Sequence, residues 1–96
     1  MTHTIKLREQ FCDAVLSGDK CFEVRKNDRK YKVGDYVRFI SIRPTNDGYI
    51  DLPHAVINKI YVITYVLSGW GLQDGYVVFG IKEVEENEKN VNVGKR

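Results

Sequence analysis

The sequence predicts a small α+β domain whose strands close into a barrel, about five strands with one or two short helices. Three observations carry this. Segments rich in β-branched and aromatic residues recur along most of the chain, separated by Gly, Asn, Asp and Pro clusters. A single stretch near the start has helical spacing instead. Finally, the apolar run from Ala55 to Leu67 is longer than an ordinary strand and is expected to bend or bulge, as strands do at barrel corners.

Taken in order, His3 to Leu7 alternates and predicts a first strand. Leu7, Phe11, Ala14 and Val15 then recur at three-to-four spacing, giving a helix from near Arg8 to Ser17. Gly18 offers the left-handed residue that ends it, while no good N-cap precedes it. Cys21 to Arg25 alternates again, with Phe22 and Val24 on one face and Cys21, Glu23 and Arg25 on a polar working side. Asn27-Asp28 and Val33-Gly34-Asp35 are turn signals. Tyr36 to Ile42 is a strand that Pro44 to Gly48 breaks, leaving a loop, or a loop holding a minor hairpin, as far as Pro53. After the long run, Ser68 to Gly75 is a glycine-rich loop and Tyr76 to Val84 the last strand. Residues 1–84 thus form one domain, and 85–96, with only Val91 and Val93 as apolar residues, a polar tail expected to be disordered.

A chain of 96 residues supports one core. No window approaches the roughly eighteen apolar residues of a membrane span, and the first residues lack the apolar run of a signal peptide, so a cytoplasmic, reducing location is expected. Cys12 and Cys21 show no C-x-x-C pattern and are expected as free thiols. With His3 and His54 they make no local chelating spacing, so neither a metal nor a cofactor is assigned.

Charge is unevenly placed. From Lys20 to Lys32 there are six basic residues against two acidic ones, and elsewhere nine against 11. A weakly acidic body with one positive segment suits a protein that meets phosphates at one place, although a solvated lysine-rich loop has the same composition. Within the segment Glu23 and Arg25 share a strand face and Arg29 lies past the turn. Either the carboxylate fixes a guanidinium whose other donors meet phosphate or base edges, or the pair is structural and pins the turn. Trp70, in its glycine-rich loop, either stacks on a base or plugs the barrel mouth. Gly18-Asp19-Lys20 lacks the other residues of a phosphate loop, and Gly69-Trp70-Gly71 those of a dinucleotide fingerprint.

Several motifs together resemble a known family. Gly18-x-Lys20, Phe22-Glu23-x-Arg25-x-Asn27-Asp28-Arg29, Val33-Gly34-Asp35, Thr64 to Leu67, Gly71-Leu72 and Gly75-Tyr76-Val77-Val78-x-Gly80-Ile81 are similar to small bacterial and phage ASCH-like proteins of the PUA-like superfamily, over His3 to Val84. The resemblance implies a PUA-like barrel with a cleft lined by the lysine and the E-x-R residues, and a role in binding RNA or nucleotides. The expected site is Lys20, Glu23, Arg25, Lys26, Asn27, Asp28, Arg29 and Trp70. Some ASCH-class relatives hydrolyse acetylcytidine through G-x-K-T-x-T-x-R. Here Cys21 and Glu23 replace the two threonines, and a carboxylate cannot attack as an activated hydroxyl would, so that mechanism does not carry over. Many relatives also have a proline near the helix start, where this chain has Glu9. An enzyme of another kind, with Lys20 and Glu23 moving protons on a modified nucleoside, is the alternative to a binding module. A regulatory protein-binding domain is a third possibility, supported by the basic patch alone.

Overall fold

In the computed structural model, which describes residues 1–85, strand β1 spans Thr2–Arg8 and buries His3, Ile5 and Leu7 on alternate positions. Helix α1, Glu9–Ser17, begins without a side-chain cap and ends at Gly18, whose φ of 88° is left-handed and whose N–H donates to the Val15 carbonyl. The helix turns Cys12 and Val15 into the core and leaves Phe11 half-exposed at its edge. After it come β2 (Phe22–Lys26), β3 (Tyr36–Thr45), β4 (Gly48–Asp51), β5 (Tyr61–Ser68) and β6 (Tyr76–Glu83).

These strands form one sheet in the order β1-β3-β5-β6-β2, with β4 a hairpin partner of β3. β1 and β3 run parallel and all other pairs antiparallel. A parallel pair needs a long crossover. Here the crossover consists of α1, β2 and the turn beyond it, so β2 is carried to the edge opposite β1. The inward residues of the strands, among them Ile5, Leu7, Val37, Phe39, Ile63, Val77 and Phe79, pack with Cys12 and Val15 into one core.

Three expectations need correction. The sheet is not a closed barrel, because its path ends at β1 on one side and β2 on the other. Arginine side chains span the seam instead: Arg25 Nη2 donates to the Lys6 carbonyl at 2.5 Å and Arg29 Nη1 to the Thr4 carbonyl at 2.6 Å. The physical reason lies in Glu23. A buried carboxylate must keep its cationic partners, and one of them, Arg25, reaches across to β1 and takes the Lys6 carbonyl that a paired strand would otherwise use.

The long apolar run is the second correction. Ala55–Asn58 is a 3-10 helix, N-capped by His54 Nδ1 accepting from the Val56 N–H, and the strand starts only at Tyr61. The expected irregularity does occur within that strand, as a register shift between Ile63 and Tyr65 that leaves Thr64 as the bulge residue.

Third, Pro44 does not break β3, which runs to Thr45; of the two alternatives for the stretch to Pro53, the minor hairpin is the one that forms, returning to β4. Because β3 pairs β5 only at Tyr36 and Val37, this far end lies off the main ladder, where β4 is its only antiparallel partner. The expected disorder beyond residue 85 lies outside the described residues.

Candidate functional site

The alternation along β2 is as expected, and the structure shows which of its two faces is turned inward. Glu23 is 3% exposed and faces inward with Arg25, whereas Phe22 and Val24 are 44% and 48% exposed. The polar side of the strand is therefore the interior one.

Glu23 is held by two cations. Lys20 is delivered by the Gly18 turn, which its own N–H secures by donating to the Ala14 carbonyl at 2.9 Å. Its Nζ donates to Glu23 Oε2 at 2.5 Å and to the Phe22 carbonyl at 2.8 Å, and lies 5.3 Å from the Phe11 ring centroid and 4.9 Å from that of Phe22. Arg25 donates to the other oxygen, Oε1, through Nε at 3.0 Å and Nη2 at 2.8 Å. Charge-assisted bonds of this kind are the strong ones, and here they offset the cost of burying a carboxylate.

This cluster forms the wall of a cleft of about 560 Å³ between β1, the start of α1 and β2. Four cations line it, Lys6, Arg8, Lys20 and Arg25, against the single carboxylate of Glu23, with Phe11 and Phe22 supplying apolar surface. Beyond Arg25 lies a second cleft of about 380 Å³, lined in part by Lys26, Asp28, Arg29 and Tyr31. Burial pushes the Tyr31 hydroxyl above its usual range.

The expected site residues thus divide. Lys20, Glu23 and Arg25 come together in the first cleft, and Lys26, Asp28 and Arg29 border the second. Asn27 is a turn residue, its Oδ1 accepting from the Tyr31 N–H at 3.1 Å. Trp70 lines neither cleft and plugs nothing. It is 89% exposed, with a left-handed φ of 54° between two glycines of positive φ. Sequence reasoning missed Lys6, Arg8 and Phe11. The alternation of Lys6 and Arg8 with Ile5 and Leu7 was visible, but the proximity of β1 to β2 was not.

Elsewhere, Cys12 and Cys21 are free, and burial raises the Cys12 thiol above its ordinary range. Among the described residues no cluster of three or more metal-ligating side chains occurs, and no helix is long and apolar enough to cross a membrane.

The fold and cleft define a class: an α+β domain with an open, arginine-spanned seam and an electropositive pocket beside it. Residues 2–81 match the family described as a domain of unknown function, DUF3850, and the chain belongs to that family. No curated protein matches it.

Proposed function

We propose that the domain binds a nucleotide, free or as part of RNA, in the cleft between β1 and β2, and does so in the cytoplasm. The observation that carries this reading is the composition of the cleft wall: four cations face a space whose one carboxylate is already bonded on both oxygens, and two aromatic rings border it. Such a wall favours phosphate together with a flat, apolar base. The resemblance to ASCH-like proteins supports it, since Lys20, Glu23 and Arg25, which help carry that resemblance, line this cleft. On this reading the fold is a PUA-like domain with its seam left open.

Hydrolysis of a modified nucleoside draws on the 2.5 Å contact between Lys20 and Glu23. It is the weaker reading. A water-activating Glu23 needs an oxygen to spare, and Oε2 is taken by Lys20 and Oε1 by Arg25.

The test is binding of nucleoside monophosphates and short RNAs to variants that leave the Glu23 cluster intact. The Arg8 side chain makes no hydrogen bond or ion pair among the described residues, and the Lys6 ammonium meets only the Tyr49 ring. Arg8→Ala and Lys6→Ala should each weaken binding without lowering Tm. Each lost phosphate contact should reduce the salt slope by about 0.7 for single-stranded RNA. Unchanged affinity in both variants, or no binding at low salt, would remove the proposal.

A further inference from the structure

Because β2 turns Glu23 and Arg25 inward, Phe22 and Val24 leave an apolar surface on the outer side of the sheet. Register places Phe22, Gly80 and Tyr65 in one row across β2, β6 and β5, and Val24, Val78 and Leu67 in the next. Paired residues on neighbouring strands project from the same face. Phe22 and Tyr65 therefore stand on either side of a glycine, and Tyr65 is 65% exposed.

Two strand spacings separate the backbones of these aromatics by about 10 Å. A planar ring stacked between two others needs about 3.5 Å on each side, which this separation provides. Gly80 keeps the middle of the row low, and a Cβ there would come within 2.6 Å of Thr64 Oγ1. The bulge thus sets a hydroxyl, both donor and acceptor, over the floor between the rings.

Charge selects the occupant. On this outer face of β2 and β6 the alternation places two charged side chains, Lys26 and Lys82, and both are cationic. Protein–protein interfaces are depleted in lysine, which counts against a second protein chain on a face with a cationic border and separated aromatics. Both suit a polyanion whose bases stack. The face is also continuous with the cleft, because Phe22 lines the cleft and carries Lys20 over its ring.

We infer that the outer face of β2, β6 and β5 is a second stretch of nucleic-acid surface, on which a single strand leaving the cleft passes over Phe22 and stacks a base against Tyr65. This rests on the nucleotide reading of the cleft and extends it: the partner is a single-stranded RNA of several nucleotides, not a free mononucleotide.

The experiment compares uridine monophosphate with an oligouridine of about ten nucleotides, within the range such surfaces cover, on the whole chain and on Tyr65→Ala. Tyr65 is exposed and lines neither cleft, so the fold and the cleft should persist. We expect oligouridine affinity to fall about ten- to a hundredfold, the worth of one stacked base, while uridine monophosphate affinity stays the same. Tyr65→Phe should restore binding. Equal oligouridine affinity in Tyr65→Ala would overturn the inference while leaving the cleft reading standing. Failure of the native chain to bind either probe would overturn both. If the native chain proves a dimer in solution and Tyr65→Ala a monomer, the face belongs to a second copy and the inference is wrong.

Discussion

The Arg25 guanidinium reaches from β2 to the Lys6 carbonyl of β1, and the same Nη2 also bonds Glu23. One side chain thereby joins the two open edges of the sheet and neutralises the buried carboxylate between them. Arg25→Ala should lower stability by about 2 kcal/mol. That is less than the roughly 3–5 kcal/mol of a buried pair left wholly unpartnered, because Lys20 stays on Glu23. Arg29, exposed and making one carbonyl bond, should cost about 1 kcal/mol on replacement by alanine. Denaturant melts of the two variants check the order; a more damaging Arg29→Ala would mean the seam is not held as described.

Because Arg25 serves both structure and cleft, loss of RNA affinity in Arg25→Ala does not separate the two roles. The double substitution Lys6→Ala with Arg8→Ala does. It should leave Tm within about 2 °C of the native value, since surface changes usually stay within about 0.5 kcal/mol, and should weaken nucleotide binding more than either single change. Calorimetric titration alongside thermal melts reads both quantities.

Tyr61 is buried with its hydroxyl unpartnered among the described residues. Burial, helped by nearby Glu83, pushes its pKa up to about 12. An unfolded tyrosine titrates near about 10. The raised folded value means that the tyrosine's contribution to stability is whole below about pH 10 and is lost as pH climbs towards 12. Tyr61→Phe should remove that alkaline loss. It should also raise stability at neutral pH by about 1 kcal/mol, because a buried donor without an acceptor carries a desolvation cost. A lower Tm for Tyr61→Phe would show that the hydroxyl has a partner after all.

At the acid end, Asp35 accepts from buried His3 at 2.8 Å and from the Lys32 N–H, and the His3 bond above all holds its carboxyl below the usual range. For a depressed carboxylate the contribution is present above the unfolded value, near about 3.9, and disappears as pH falls through the folded one. Stability measured below pH 4 should therefore drop less steeply in Asp35→Asn than in the native chain, from a lower plateau at neutral pH. Parallel acid limbs in the two proteins would contradict this.

Trp70 is the chain's only tryptophan, so tryptophan emission, excited beyond the absorption of the six tyrosines, reports its loop alone. If the strand that crosses Tyr65 runs on along the β5–β6 hairpin, oligouridine should quench that emission and uridine monophosphate should not. Equal quenching by both probes would place Trp70 at the cleft, contrary to its position.

Local patterns were enough to give this protein its class and most of its elements. Alternation marked the strands, three-to-four spacing and Gly18 marked the helix, and the Lys20 to Arg29 segment concentrated the charge, since each depends on residues close in sequence. Alternation separates two faces of a strand, however, without saying which is inward. For β2 the sequence left that open, and tertiary structure turned Glu23 inward, because Lys20 and Arg25 meet its two oxygens from either side. Ala55 to Asn58 likewise looked like strand by composition and became helical once His54 capped it. The seam, and the recruitment of Lys6, Arg8 and Phe11 to the cleft, depend on Arg25 meeting a carbonyl 19 residues away in the chain. Only the crossover that sends β2 to the far edge and the curl of the sheet that brings it back to β1 create that contact, and neither leaves a periodic trace in the sequence.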